Sequence, residues 1–324
     1  MKAYVAGVGS YVPDKILTNA DLEKIVETSD EWIRTRSGIR ERRIAADDQA
    51  TSDLALIAAQ RALKSAGLKP KEIGAIVVGT ATPDMPFPST ACLVQKKIGA
   101  PGVIAFDVSA GCTGFLYSLG VADSFIANGY DNILVIGADI LSRFTDYTDR
   151  TTCVLFGDAA GAVILKRSDS KRGILASHFA SDGSSWQLLH QPAGGSRMPA
   201  SVDTAAQRLH VIKMQGNEVF KLAVRAMSDA AVKTLKAANI HPSQVKLLIP
   251  HQANIRIIEA TAKRLHLSMD RVLVNIDRYG NTSTATIPVA FDEAVKTGRV
   301  EPGDIVLMVA FGAGFTWGGV LFEY

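Results

Sequence analysis

One stretch of this chain is written twice. Residues 62–82 (ALKSAGLKPKEIGAIVVGTAT) align without gaps on residues 234–254 (TLKAANIHPSQVKLLIPHQAN) at an offset of 172. Leu63, Lys64, Ala66, Pro70 and Ala81 recur as Leu235, Lys236, Ala238, Pro242 and Ala253. Further pairs follow in the same order: Gly111-Cys112-Thr113 with Gly280-Asn281-Thr282, Asp123 with Asp292, Gly129 with Gly298, and Phe156-Gly157 with Phe311-Gly312. A period this long excludes a solenoid and predicts a duplicated α/β unit split near residue 170, as halves 1–170 and 171–324. Two pseudo-equivalent halves bring their matching loops together around an axis. Cys112, His251 and Asn281 all fall in such matched loops, at strand-to-helix junctions.

Within each half, short apolar runs alternate with amphipathic segments, the pattern of a layered α/β fold. Strands are predicted at the N-terminus and over 73–78, 103–108, 133–136, 162–165, 247–249 and 305–309. Thr51 is positioned to cap a helix through Leu54, Ile57, Ala58 and Leu63 that stops at Gly67. The segment from Asp182 to Gly216, rich in Gly, Pro and Ser, reads as a long connection with little regular structure. With 47% apolar and 21% charged residues, the chain can build a sizeable core. Lys and Arg total 35 against 32 Asp and Glu, a net charge of +3, which argues against a nucleic-acid binder. The N-terminal apolar stretch stops at Pro13 and reads as a strand rather than a signal peptide. No apolar run approaches the roughly 20 residues that span a bilayer. The expectation is a cytoplasmic protein that does not engage a membrane.

Cys92, Cys112 and Cys153 are too few for a disulfide framework and lack zinc spacing, so no metal site is expected. Cys92 and Cys153 sit in apolar patterns and read as core. Cys112, in VSAGCTGFLYSLG, follows a strand end and a tight turn and precedes a helix carrying Phe115, Leu119 and Ala122 on one face. A thiol there feels the positive end of the helix dipole, which predicts a lowered pKa and a nucleophile. Taken alone it is also readable as a buried structural cysteine. His251 opens HQANIRII at another strand end, a place for site chemistry or for a structural histidine. Asn281 is the repeat partner of Cys112. A neutral amide there suits a hydrogen-bond donor to a developing oxyanion, and equally a helix cap. The Gly-rich run Phe311–Gly319 can turn backbone N–H groups towards a ligand oxygen, or simply make a turn. Gly7-x-Gly9 has no helix after it and is not a dinucleotide fingerprint.

These motifs together resemble the β-ketoacyl-acyl carrier protein synthase III family, the initiating condensing enzymes of type II fatty acid synthesis. The resemblance runs over essentially the whole chain and rests on Ala110-Gly111-Cys112, His251-Gln252-Ala253-Asn254, Gly280-Asn281-Thr282-Ser283 and the terminal Phe-Gly-x-Gly-Phe-Thr-Trp-Gly. It implies an α/β thiolase fold, two halves in five layers α-β-α-β-α, as a homodimer. It also implies that Cys112 takes an acyl group from acyl-CoA, with the N–H groups of Cys112 and Ala313 as the oxyanion hole. Many relatives carry Gly where this chain has Ala313, a difference a backbone donor tolerates. His251 and Asn281 would donate to the thioester carbonyl of malonyl-acyl carrier protein as it loses carbon dioxide. No cofactor is implied beyond these substrates.

The same resemblance marks Thr28, Trp32, Arg36, Arg150, Asn217 and Asn254 as CoA contacts, with Trp32 and Arg150 sandwiching the adenine. Phe87 resembles the residue that limits the acyl pocket across a dimer interface. Lys221, Arg256, Lys263 and Arg264 resemble the basic patch that receives the acidic carrier protein. The last three lie at i, i+7 and i+8, on one helical face. The competing readings are a relative in secondary metabolism with another primer or acceptor, a thioester hydrolase, and a non-catalytic acyl-binding protein. A thiolase would use a second cysteine where Asn281 stands.

Overall fold

The computed structural model describes residues 2–168 and 172–324. The predicted split at 170/171 lies outside the described residues. Two large sheets hold nine strands: β1 (Lys2–Tyr11), β2 (Ala75–Gly79), β3 (Ile104–Val108), β4 (Ile133–Ile140), β5 (Asp158–Ser168), β6 (Gly173–Ser181), β7 (Leu247–Pro250), β8 (Ile305–Gly312) and β9 (Thr316–Glu323). The helices of eight residues or more are α1 (Asp30–Ser37), α2 (Thr51–Ala66), α3 (Thr90–Ile98), α4 (Gly114–Ala127), α5 (Gly216–Ala238), α6 (Ile255–Arg264) and α7 (Thr286–Lys296).

The first sheet runs β1-β5-β4-β2-β3, with β2 parallel to β3 and β4 and the other pairs antiparallel. The second runs β6-β9-β8-β7, with β7 parallel to β8. The second order reproduces the first without its last strand. In that strand's place a single parallel bridge joins Leu248 to Val272. The repeat thus appears in three dimensions: β7 stands to β8 as β2 stands to β4.

Between the sheets lie α4 and α7. Phe115, Leu116, Leu119 and Ile126 of α4 and Ile287, Ala290 and Phe291 of α7 pack in one core with Val5, Val77 and Val135 of the first sheet and Ile249, Met308 and Phe322 of the second. On the far face of the first sheet, α2 and α3 cover Ile76, Val78, Leu134 and Ile136. On the far face of the second, α5 and α6 cover Leu248, Leu307, Val309 and Leu321. This is the five-layer arrangement. β2, β4 and β8 are apolar on both faces because each is covered twice.

Local expectations need three corrections. Helix α2 begins with Ala50 as its cap position. Asp53 reaches back to the Ala50 N–H at 2.8 Å, and Thr51 donates its hydroxyl to the Thr82 carbonyl at 2.6 Å. A carboxylate in the first turn thus does the work assigned to Thr51. The 182–216 connection is mostly irregular, but it includes the short helix Val202–Ala206. It also contributes a two-stranded ladder pairing Leu189–His190 with Lys213–Met214. Gly7 and Gly9 lie inside β1, where no phosphate-binding turn exists. Cys153 is buried as expected, whereas Cys92 is only half-buried.

Candidate active site

The chain turns from β3 through a short 3-10 turn, Gly111–Thr113, directly into α4. This places Cys112 at the head of a central helix. The pseudo-equivalent turn, Ser283–Ala285, leads into α7, so Cys112 stands opposite Thr284 and not opposite Asn281 as the sequence pairing had it; Asn281 precedes that turn. His251 follows the end of β7, its backbone N–H donating to Val309 of the neighbouring strand at 2.8 Å. Cys112, His251 and Asn281 line one cavity of about 270 Å3. A second, mostly apolar cavity of about 160 Å3 is walled by Leu141, Phe144, Phe156, Leu189 and Ile212 and also reaches Cys112. Cys112 therefore lines both a larger cavity, whose polar side chains include Arg36, Asn217, Asn254 and Arg256, and the smaller apolar one.

Backbone around the sulfur is packed at the limit that glycine permits. Gly111 has φ of +51°, and a Cβ on it would sit 2.6 Å from the backbone nitrogen of Ala313. Among the described residues the Ala313 N–H has no hydrogen-bond acceptor. Ala313 lines the apolar cavity beside Cys112, so its side chain leaves the backbone approach intact.

Burial pushes the Cys112 thiol up to about 12, a hydrogen bond with the Ser283 side chain pulls the other way, and the charge of Asp139 adds to the rise. Burial thus opposes the lowering expected from the helix end. Burial pushes His251 down to about 3, so its imidazole is neutral. His251 is 1% exposed, and its Nδ1 lies 2.7 Å from the Thr286 hydroxyl. Asn281 is clamped by its backbone, donating to Leu155 at 2.8 Å and accepting from Gly157 at 3.1 Å. Its Oδ1 accepts from the Ser283 N–H at 2.9 Å, which leaves Nδ2 as the donor available to the cavity.

Asp139, near the end of β4, is fully buried and ties together one loop from each half. It accepts from Thr80 and Thr82 hydroxyls at 3.0 and 2.8 Å, and from the Ala81 and Thr82 N–H groups at 2.7 and 3.0 Å. From the other half it accepts the Thr284 N–H at 3.0 Å and hydroxyl at 2.7 Å. Six donors replace the water a buried carboxylate loses. Asp139, Ser283 and Thr286 escaped the sequence reading. Their signal was an Asp closing the otherwise apolar ILVIGADI, and a run of hydroxyl residues after Asn281.

Trp32, Arg36, Asn217, Asn254 and Arg256 line the larger cavity with the triad residues. Arg36 and Arg150 place their guanidinium carbons 4.9 and 5.4 Å from the Trp32 ring centre. Arg150 also donates to the Glu27 carbonyl at 3.1 Å. Asn254 caps α6 through its side chain and donates to the Arg36 carbonyl at 2.8 Å, joining α1 to α6. Thr28 lines neither cavity; its hydroxyl is buried without a partner among the described residues. Phe87 also lines neither and is 85% exposed. Arg256 lies 4.9 Å from the Phe220 ring, Lys221 pairs with Glu218 at 2.8 Å, and Lys263 and Arg264 are exposed near the end of α6.

Residues 106–183 match the family model 3-oxoacyl-[acyl-carrier-protein] synthase III, and residues 235–324 match the model of its C-terminal part. The chain is 54% identical over 323 residues to a β-ketoacyl-[acyl-carrier-protein] synthase III of Caldanaerobacter subterraneus, covering 99% of this chain and 98% of the relative. It is similar to the crystal structure of 3-oxoacyl-[acyl-carrier-protein] synthase III from Aquifex aeolicus, with a TM-score of 0.92 at 50% identity, over 99% of this chain and all of the other. A priming β-ketosynthase from the R1128 polyketide pathway also superposes with a TM-score of 0.92, at 33% identity, over 99% and 96% of the two chains. The chain belongs to the β-ketoacyl-acyl carrier protein synthase III family, condensing acyltransferases built on the thiolase fold.

Proposed function

We propose that this β-ketoacyl-acyl carrier protein synthase III starts fatty acid synthesis by a two-step exchange at Cys112. The Cys112 sulfur attacks the carbonyl of a short acyl-CoA, a new sulfur–carbon bond forms, and CoA departs with the proton the thiol gives up. The N–H groups of Cys112 and Ala313 stabilise the oxyanion of that step. Malonyl-acyl carrier protein then enters the larger cavity. Its carboxylate leaves as carbon dioxide, and the electron pair moves onto the thioester carbonyl as an enolate held by His251 Nε2 and Asn281 Nδ2. The enolate carbon attacks the acyl-Cys112 carbonyl, releasing β-ketoacyl-acyl carrier protein and a sulfur that regains a proton.

The observation that carries this reading is the meeting of Cys112, His251 and Asn281 on one cavity, with an apolar space behind the sulfur. An imidazole whose pKa is held down to about 3 is a weak base towards water but keeps an N–H for an enolate oxygen, which favours condensation over hydrolysis. We read Trp32, Arg36, Asn217 and Asn254 as the CoA channel, and Arg150 as a second cation on Trp32. Thr28 is read as a further CoA contact. Lys221, Arg256, Lys263 and Arg264 are read as the surface that receives the carrier protein. Phe87 fits the apolar contact of a second copy, because an aromatic ring this exposed gains from cover. The working form is then a homodimer in the cytoplasm that needs no cofactor. A role in secondary metabolism with another primer is the second reading, favoured by the likeness to the R1128 enzyme.

The experiment is intact-mass analysis after incubation with a panel of acyl-CoAs, alongside Cys112→Ser. A single acyl increment on Cys112, absent from the variant and discharged by malonyl-acyl carrier protein, supports the reading and names the primer. Failure of every acyl-CoA to label Cys112 overturns the priming step.

A further inference from the structure

Below His251 lies a contact that the condensation scheme does not use. Thr286, the first residue of α7, is 3% exposed, and its hydroxyl oxygen lies 2.7 Å from His251 Nδ1 and 3.0 Å from the Ser283 carbonyl. A hydroxyl has one proton, so it donates to one of these and not to both. The Ser283 carbonyl already accepts the backbone N–H of Thr286, and the hydroxyl's contact with it, at 3.0 Å, is the longer of the two. Nδ1 has no other partner among the described residues.

A neutral imidazole also carries a single proton, and the bond at one nitrogen decides where it sits. Were that proton on Nδ1, Nε2 would face the cavity as a bare lone pair. A lone pair aimed at a thioester carbonyl repels the oxygen on which the enolate charge grows. With the Thr286 hydroxyl donating to Nδ1, the ring proton is forced onto Nε2, where it can be given to that oxygen.

We propose that Thr286 is a positioning residue for the condensation step: its hydroxyl donates to His251 Nδ1 and so fixes the tautomer that presents Nε2–H to the acceptor thioester. This rests on the reading of His251 as a donor to malonyl-acyl carrier protein. Thr286 has no part in the attack of Cys112 on acyl-CoA, so the two steps must separate when it is changed.

The test is Thr286→Val, which keeps shape and removes the hydroxyl, with Thr286→Ser as the conservative control. Acyl transfer from acyl-CoA to Cys112, followed by intact mass, is expected within about twofold of the parent in both. Malonyl-acyl carrier protein decarboxylation and condensation are expected to fall about 10- to 100-fold in the valine variant, by analogy with the outer hydrogen bonds that orient metal-binding histidines. The serine variant is expected to recover most of that loss. Nitrogen-15 NMR of the parent protein, with histidine ring nitrogens labelled and His251→Asn for assignment, is expected to show a protonated Nε2 and an accepting Nδ1. A proton on Nδ1 in the acylated parent protein overturns the proposal whether or not the valine variant folds. Equal condensation rates in the parent and Thr286→Val overturn it too. If His251→Asn itself condenses at the parent rate, it is the donor role of His251 that fails.

Discussion

Gly312 lies so close to Cys112 that a Cβ on it would stand 2.5 Å from the Cys112 backbone nitrogen and 3.0 Å from that of Thr113. The end of β8 and the head of α4 therefore meet backbone to backbone, and the next residue of β8's hairpin is Ala313. Substituting Gly312→Ala drives the two N–H groups apart. Acylation of Cys112 is expected to fall about 100- to 1,000-fold, the cost of losing an oxyanion donor. Ala313→Gly, which leaves the donor in place, is expected to stay within about threefold. Single-turnover acylation, read by intact mass, checks both.

Burial that raises the Cys112 thiol pKa fixes the shape of its pH dependence. Alkylation of Cys112 by iodoacetamide in the free enzyme is expected to climb about tenfold per pH unit from pH 7 past pH 9 without levelling. A thiol lowered by the helix end would instead plateau near neutrality. Peptide mapping separates Cys112 from the half-buried Cys92.

His251 ties stability to acid. Its folded pKa of about 3 lies below the ordinary 6.5, so in that interval the unfolded chain binds a proton that the folded chain refuses. Stability is therefore expected to fall as pH drops from about 6.5 towards 3. His251→Asn, with nothing to protonate, is expected to lose less over the same range. Urea midpoints at several pH values, compared between the two proteins, give the difference.

Trp32 presents its ring to Arg36 and Arg150 at the mouth of the larger cavity. Trp32→Ala is expected to raise KM for acyl-CoA about tenfold, as stacking contributes about 1–3 kcal/mol per base, while kcat changes little. Steady-state kinetics with a short acyl-CoA check the split.

The charged end of α6 makes a separate prediction. Lys263→Glu with Arg264→Glu is expected to reduce kcat/KM for malonyl-acyl carrier protein several-fold at low salt and to flatten its salt dependence. Labelling of Cys112 by acyl-CoA is expected to remain unchanged. Rates at two ionic strengths, for both half-reactions, decide it.

Much of the fold was legible because its cause is periodic. The offset of 172 that aligns residues 62–82 with 234–254 also carries Ile133, the start of β4, onto Ile305, the start of β8. The apolar runs of those strands follow from helices on both sides. Cys112, His251 and Asn281 could be picked out because each is a chemically distinct residue at a strand-to-helix turn. Thr286 could not, since a hydroxyl next to a helix start reads as an ordinary cap until His251 is seen beneath it. Nor could the ionisation of Cys112: helix position is written in the sequence, but burial depends on residues far apart in the chain, such as Phe156, Leu189 and Ala313, meeting Cys112 at one cavity. Asp139 was hidden for the opposite reason, since its six donors come from two loops far apart in the chain.

The register that matches β4 to β8 sets Asp139 opposite Phe311 in the repeat, which corrects the pairing of Phe311 with Phe156 drawn from the two Phe-Gly steps. One strand end carries a charge that grips both loops. The other carries a phenyl ring stacked on Phe315 at 4.9 Å. A doubled gene would begin with two equal strand ends and two equal half-sites. Here the copies have diverged into a holder and a wall, so that a pseudo-symmetric scaffold houses one reaction centre. Restoring sameness at this pair, by Phe311→Asp, would bury a second carboxylate with no donors waiting for it, and the chain would lose stability instead of gaining a second site.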